Sequence, residues 1–211
     1  MFRLPAWVVV TTTLLLLTAT TACRRNPQGS AARVAVSNKV SVRTITLYFE
    51  ASDMLLSSER RDLPVPENPP SALSVIVREL FKGSANASIP RIFPSDTIVR
   101  GAFLLPDGSA FVDLGGPTIT QGWGTGSHEE LLAVESIVQT IITNIPEAKR
   151  VRILINGEPA ETLAGHISLA RALTPMPWLL SPRPIQVAPA SGAVPPAPAT
   201  ASQPVAAAPL R

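Results

Sequence analysis

The chain is poor in the side chains that most often carry catalysis and metal binding. Its 211 residues include one cysteine, Cys23, and two histidines, His128 and His166. A single cysteine excludes a disulfide within the chain, whatever compartment the protein occupies. A structural zinc site takes four ligands, usually thiolates and imidazoles, and this sequence falls short of them. We therefore expect no metal and no other cofactor.

Acidic residues are missing from both ends of the chain. All 15 lie between residues 40 and 180, where 11 Lys and Arg leave a formal charge of −4. The other seven cations belong to the flanks, so the pI of 9.6 describes the flanks and not the body. Nucleic-acid binding needs cations gathered on one folded face. This distribution predicts no nucleic-acid partner.

The chain also lacks an apolar run long enough to span a bilayer, which takes roughly 20 residues. Its most apolar stretch, residues 6–17, follows Arg3 and precedes the small residues 18–22. A secretory signal has this order: a cation, a short apolar stretch, and small residues before the cleavage site. We expect residues 1–22 to be a signal peptide.

Cys23 directly follows those small residues, and this placement resembles the bacterial lipobox, in which the thiol is diacylated and becomes the mature N-terminus. Thr20 departs from that pattern, which most often has Leu there. Two acyl chains anchor a protein stably, whereas one holds it marginally. The prediction is a protein lipid-anchored through Cys23 at the cell membrane or outer membrane, facing the periplasm or the exterior. A plain secretory signal and an uncleaved anchor stay open as alternatives.

Composition divides the rest of the chain into a body and two flanks. Residues 23–39 form a polar linker, and residues 181–211 form a tail rich in Pro and Ala that holds eight of the 22 prolines. Such a tail favours extended conformations and no packed core, so we expect it to be disordered. The body, residues 40–180, has the length of one domain.

The first half of the body alternates between strand and helix periods. A strand over 42–49 places Ile45, Leu47 and Phe49 on one face. The charged, proline-containing stretch 54–68 is interpreted as a connection. Asn68 or Ser71 caps a helix with an apolar stripe over 73–81. A hairpin then pairs 97–105 with 110–114 around a Pro-Asp-Gly turn.

The second half begins with Ser127, which together with Glu130 forms the pattern of a capping box. The helix that follows ends at Pro146. A short strand over 151–155 leads into an Asn-Gly turn, and 159–163 continues as an edge strand. The order β-α-β-β-α-β predicts an α/β (α+β) sandwich, a small mixed sheet with two helices on one face.

The ordered set of motifs resembles the GerMN (sporulation and spore germination) domain family of bacterial envelope lipoproteins. The resemblance covers the body and rests on TLYF at 46–49, the helix over 72–83, GSAFVDL at 108–114, GSHEE at 126–130, VRILING at 151–157 and ETLAGH at 161–166. It implies a domain like the ring-building motifs of envelope assemblies, without catalytic residues. Spore-forming members often carry two such domains, and this chain has room for one.

A glycine-rich loop and several polar residues are the candidates for chemistry. Residues 122–126 precede a helix N-terminus, but about a dozen residues separate them from the preceding strand, which favours a capping loop over a dinucleotide site. Trp123 in that loop is interpreted as a cover for the core, with an exposed binding aromatic as the alternative. His128 is interpreted as a solvated residue and His166 as a turn or packing residue.

Four acids complete the candidates. Glu129, Glu130 and Glu135 lie near a helix N-terminus, where the helix dipole favours negative charge. Asp113 interrupts an apolar strand, and we expect it to cap a turn at Gly115–Gly116. No set of these residues meets the requirements of an enzyme.

The sequence therefore predicts a non-catalytic, lipid-anchored envelope protein whose domain binds an envelope protein or peptidoglycan. Two alternatives stay open. One is a cell-wall enzyme or its regulator, with Asp113 or Glu135 as acids, and the other is an accessory of a membrane sensor. The oligomeric state is not determined by the sequence.

Overall fold

Strands and helices alternate along the part of the chain that a computed structural model describes, residues 39–187. The elements are β1 (Val40–Glu50), β2 (Leu56–Pro66), α1 (Pro69–Phe81), β3 (Ile98–Leu104), β4 (Ser109–Gly115), α2 (Pro117–Gln121), α3 (Ser127–Asn144), β5 (Arg150–Ile155), β6 (Glu158–Pro159) and a 3-10 turn (Pro177–Leu179). The predicted mixed α/β class is confirmed. The signal peptide, Cys23, the linker up to residue 38 and the tail beyond residue 187 lie outside the described residues.

The strands form two sheets instead of the one that was predicted. β1 and β2 make an antiparallel hairpin of eleven paired residues without a bulge. The second sheet has the order β3-β4-β5-β6, in which β4 and β5 are parallel and the other pairs antiparallel. The expected edge strand over 159–163 shrinks to the pairing of Glu158 and Pro159 with β5.

The interpretation of 54–68 as a connection is wrong, because it contains β2. The charged residues that suggested a loop are used inside the fold. Glu59 is fully buried and ion-paired with Arg61, whose guanidinium also contacts the Glu79 carboxylate at 2.8 Å and donates to the Gly83 carbonyl at 2.6 Å. This network joins β2 to the end of α1.

The two long helices begin differently. α1 starts as predicted, since the side chain of Asn68 accepts a hydrogen bond from the Ser71 amide at 3.1 Å. The predicted capping box of α3 is wrong: the N-cap is Gly126, without a side-chain cap bond. Glu130, the expected partner of Ser127, is instead drawn into the core.

α3 covers half of the outer edge of β1 with polar side chains spaced four residues apart. The Asn144 side chain accepts from the Thr46 amide at 2.9 Å and donates to the Thr46 carbonyl at 2.6 Å. One and two turns earlier, Thr140 accepts from the Tyr48 amide and Ser136 donates to the Tyr48 carbonyl. These three side chains take the place of a neighbouring strand.

The outer edge of β2 is covered by the end of the described chain. The Ser181 amide donates to the Leu56 carbonyl and the Ile185 amide to the Ser58 carbonyl, both at 2.8 Å. Residues 181–185, part of the segment that composition assigns to the tail, therefore lie against β2. The Pro/Ala-rich character of the segment does not prevent these bonds, because prolines alternate with residues that keep an N–H.

The core lies between the hairpin, the two long helices and one face of the second sheet. Its largest fully buried side chains include Phe49, Leu73, Ile76, Leu80, Leu114, Leu132, Ile137 and Ile141. α1 packs on β3, and α3 packs on β1 and β5. Within residues 39–187, neither long helix has the length and apolarity to cross a bilayer. The helices leave the other face of the second sheet uncovered.

Candidate docking surface

The uncovered face of the second sheet carries rows of side chains that strand register brings together. Phe103 of β3 is opposite Phe111 of β4, which is beside Arg152 of β5. In the next row, Asp113 lies beside Leu154. Cross-strand neighbours project from the same face of a sheet. We call the side chains on this side the open face: Ile98, Phe103, Leu105, Phe111, Asp113, Arg152 and Leu154.

The open face exposes apolar side chains to an unusual extent. Phe103 is 56% exposed, Ile98 55% and Leu105 46%, while Phe111 and Leu154 are half-buried. The ring of Phe103 lies over Gly101, where an added Cβ would approach two ring carbons to 2.9 Å. The glycine therefore lets the ring lie flat on its own strand. A contiguous, exposed apolar patch with a polar rim is typical of an interaction site.

Charges on the open face are paired, with one exception among the described residues. Arg100 donates to the Asp113 carboxylate at 3.1 Å, and the other oxygen of Asp113 accepts from the Gly157 amide at 2.7 Å. Asp113 thus caps the β5–β6 turn, and the predicted cap at Gly115–Gly116 is wrong. Arg152 beside Phe111 makes no ion pair within residues 39–187.

Glu130 is fully buried and organises the loop after β6. One carboxylate oxygen accepts from the Leu163 and Ala164 amides, and the other accepts from the His166 amide at 2.7 Å and contacts His166 Nδ1 at 3.0 Å. Burial alone would raise the pKa of Glu130, but the amides of Ala164, His166 and Leu163 together hold it below the usual value. His166 is therefore bound to a structural carboxylate, as a turn residue.

Glu135 lies five residues further along α3 and is also buried. It accepts from the Gln139 side chain at 2.9 Å and from the Met176 amide. Burial raises the pKa of Glu135, and the two hydrogen bonds only partly oppose that effect. Its carboxylate faces the chain segment that leads to the 3-10 turn, so its role is to hold that segment.

The remaining candidates are spread apart. Trp123 is half-buried and packs on the core, with its ring 6.5 Å from that of Phe93. His128 is half-buried, and its Nε2 lies 3.0 Å from the Met54 carbonyl, which differs from a purely solvated residue. Glu129 is exposed. No three acidic, histidine or cysteine side chains of residues 39–187 converge as metal ligands.

A groove of about 570 Å³ lies away from the open face, between the β1–β2 turn, the loop around Ile89 and residues 181–186. Glu50 lines it, and burial, followed by the charge of Glu129, raises the pKa of this carboxyl. Asp53 in the same groove accepts a hydrogen bond from Ser181. The hydrogen bond from the Ser181 hydroxyl lowers the pKa of Asp53, so this carboxylate is a poorer base than usual. Among the described residues, no His, Lys or Cys lines the groove, so it does not assemble a catalytic set.

Comparison with known families assigns the fold. A family model described as "Germane: Sporulation and spore germination" matches residues 46–161, more than half of the chain.

The chain belongs to the Germane family.

The motif resemblance stated above is thereby confirmed, and the match extends from β1 to just beyond β6 of this Germane domain. No curated protein matches the chain by sequence.

Three solved structures have similar chains, each 20% identical. One is a candidate lipoprotein from Clostridium perfringens, with a TM-score of 0.46; the alignment covers 64% of this chain and 88% of that protein's chain. The tandem GerMN domains of the sporulation protein GerM from Bacillus subtilis also give 0.46, over 63% of this chain and 46% of theirs. The first of those domains alone gives 0.41, over 66% and 98%.

The open face of this Germane domain was not anticipated from its sequence. Phe111 and Arg152 are 41 positions apart, and only the parallel pairing of β4 with β5 places them side by side. Phe103 was visible as a strand residue, but its strand neighbours give no sign of which face the helices cover. An exposed Phe two positions after a glycine in a strand is the one local signal that was available.

Proposed function

We propose that this protein is a lipid-anchored envelope protein whose Germane domain is a non-catalytic docking module. The observation that carries the proposal is a contrast between the buried acids, which are all hydrogen-bonded within the domain, and the apolar side chains of the open face, which are exposed. The buried acids Asp113, Glu130 and Glu135 are all engaged in holding loops, while Phe103 and its neighbours on the open face are free to contact a partner.

The partner that this surface fits is another envelope protein with an apolar patch and an acidic side chain. The Phe103–Phe111 pair supplies apolar area, and Arg152 at its border supplies a charge that lacks a described counter-ion. Interfaces of this kind are enriched in aromatic residues and Arg, and opposite charges set the register of docking. A carboxylate on the partner would lie against Arg152.

Photo-crosslinking in intact cells tests the docking surface. A photoreactive amino acid at Phe103 is expected to capture one discrete protein, and the same group at Arg78, exposed on the far side of α1, is expected not to capture it. Arg152→Glu should reduce the yield from Phe103 roughly tenfold, because a charge pair at an interface becomes a repulsion. Arg78→Glu is the matched control and should leave the yield unchanged.

Two results would contradict this proposal. Equal capture from both positions would mean random collision. A product at Phe103 that a muramidase releases from the wall would show that the open face binds peptidoglycan and not a protein.

The anchor is tested separately at Cys23, which lies outside the described residues. Cells fed a clickable palmitate analogue are expected to label the wild-type protein and not the Cys23→Ala variant. Two acyl chains would keep the wild type in the membrane fraction through washing. An unlabelled wild type would remove the lipid anchor from the proposal and leave the docking surface intact.

A further inference from the structure

The outer edge of β1 is covered over only half its length. Backbone groups of alternate residues point to opposite edges of a strand. The Lys39 carbonyl accepts from Glu67 beyond β2, whereas Thr46 and Tyr48 face α3, so the even-numbered residues of β1 face outward. α3 ends at Asn144, opposite Thr46, and no described residue accepts from or donates to the outward groups of Val42 and Thr44.

The outer edge of β2 is covered, and that of β3 has one contact from α1. Residues 180–185 follow the start of β2, and Pro64 and Pro66 remove two donors from the rest of it. On β3, the Ser74 hydroxyl of α1 donates to the Ala102 carbonyl at 3.2 Å. Against this, the free half of β1 presents Val40 at 52% exposure and Val42 at 73%, without a charge or a proline at an outward position. Such an edge is a template for another strand.

We propose that the free half of β1 pairs with the same segment of a second copy of this chain. A two-fold axis through Val42 would set the two strands antiparallel, with Val42 opposite Val42 of the partner copy and Val40 opposite Thr44. The outward backbone groups of these residues would then exchange hydrogen bonds in pairs. The two hairpins would become one four-stranded sheet.

Self-complementarity is what favours a second copy over an unrelated strand. Each outward position would meet Val or Thr, so the pairing brings no like charges together on the exposed face. On the other face, Arg43 would lie opposite Ser41, and Arg43 has two buried guanidinium nitrogens, Nε and Nη2, without an acceptor in the described structure. The Ser41 hydroxyl would offer one.

The length of the free edge sets the strength of the pairing. About five residues per copy are available before Asn144 of each α3 closes the edge. A stable interface uses roughly 20–30 residues and 800 Å² per partner, so this contact is far smaller. The pairing therefore needs a high local concentration, which attachment to one membrane would supply. In this respect the inference rests on the proposed anchor, but it is independent of the open face, which lies on the other sheet.

Cysteine cross-linking of the full-length protein in its own membranes tests the register. Val42→Cys places two cysteines about 5.5 Å apart at Cα, within the range of a disulfide. Val40→Cys places the same pair about 14 Å apart along the strand and is the matched control. With mild oxidation, Val42→Cys is expected to give roughly tenfold more homodimer than Val40→Cys, and the double variant Val40→Cys/Thr44→Cys should restore it.

A fourth variant separates pairing from folding. Val42→Lys in the Val40→Cys/Thr44→Cys background sets two ammonium groups opposite each other and should abolish the dimer, although Val42 is too exposed to matter for the fold. Equal dimer from Val40→Cys and Val42→Cys, dimer that survives Val42→Lys, or disulfides to a different protein would each overturn the pairing. If Cys23 labelling fails while Val42→Cys still cross-links in register, the anchor falls and the pairing stands.

Discussion

Folding shifts the pKa values of two buried glutamates on α3 in opposite directions. Glu130 meets three backbone amides and has a lowered pKa, whereas Glu135 meets one amide and one side chain and has a raised pKa. Both carboxylates are almost inaccessible to solvent. The difference is the number of donors that replace water, because burial without enough donors disfavours the charged form.

Glu130→Gln is expected to destabilise the domain by about 2 kcal/mol or more at neutral pH. Both oxygens of Glu130 accept from amides, so the NH2 group of Gln must point at donors on one side. Because the pKa of Glu130 is lower in the folded state, its ionised carboxylate stabilises the fold at pH values above the usual pKa of 4.5. This stabilisation is lost as the pH falls from 4.5 through the folded pKa. Urea unfolding at several pH values should show the gap between variant and wild type closing below pH 4.5.

The exposed neighbour provides the control for that measurement. Glu129→Gln should change stability little at any of these pH values. A Glu130→Gln deficit that stays constant down to low pH would mean that the carboxylate is not charged in the native state.

Glu135→Gln is expected to stabilise the domain at neutral pH, the opposite of the effect of Glu130→Gln. The raised pKa means that the folded state holds its proton more tightly than the unfolded chain, so stability from this group falls as pH rises from 4.5 through the folded pKa. Gln keeps an acceptor for Gln139 and Met176 and carries no charge. Thermal melts should therefore show the variant equal to wild type in acid and more stable at neutral pH, and a loss of stability at neutral pH would show that the ionised carboxylate is required.

At the level of elements, α3 combines a core helix with a cap for a sheet edge. Its apolar side chains face the core, and Ser136, Thr140 and Asn144 form a separate stripe along β1. By composition alone, that stripe resembles a solvent-facing surface. The edge it covers would otherwise present unpaired backbone groups.

Asn144→Leu is expected to cost about 2–4 kcal/mol, because the Thr46 amide and carbonyl both lose their partner in a half-buried place. Native-state hydrogen exchange gives a site-specific measurement. The Thr46 amide should exchange much faster, while the Ile45 amide, which points to β2, should stay protected. Thr143→Ala, at an exposed position one residue earlier, is the control, and unchanged protection at Thr46 in Asn144→Leu would show that another group covers the edge.

Elements with a clean apolar period were predictable from the sequence, and those built on paired charges were not. β1, α1 and the β3–β4 hairpin follow from alternation or from a five-residue stripe within a residue or two. β2 did not, because Glu59 and Arg61 look like loop residues until the ion pair with Glu79 is known. The same holds for the open face, whose residues belong together only through strand pairing.

At the level of the whole molecule, the end of the described chain is part of the fold. Leu179 is buried, Leu180 pairs with Leu56, and the Met176 amide binds Glu135. The family model matches residues 46–161, so this closing segment lies outside the matched region. The folded unit is thus longer than the family match.

Two truncations test that conclusion. A chain ending at Val187 is expected to melt like the full-length protein. A chain ending at Thr174 loses a buried leucine and the cover of β2. This loss lowers the free energy of unfolding by roughly 3 kcal/mol and therefore Tm by about 10 °C. Calorimetry of both proteins decides the matter, and equal melting temperatures would show that residues 175–187 add nothing to stability.

The cap on β1 also has a consequence for synthesis. Asn144 lies 78 residues after Pro66, the last residue of the hairpin, so the ribosome completes the hairpin long before it makes the side chain that closes its edge. At about 5–20 residues per second, the nascent hairpin waits roughly 4–16 s with its outer edge open. During that interval the backbone groups of Thr46 and Tyr48 that α3 later covers stay open to water or to pairing with another strand. Completion of α3 is therefore the step that ends the exposure of this edge.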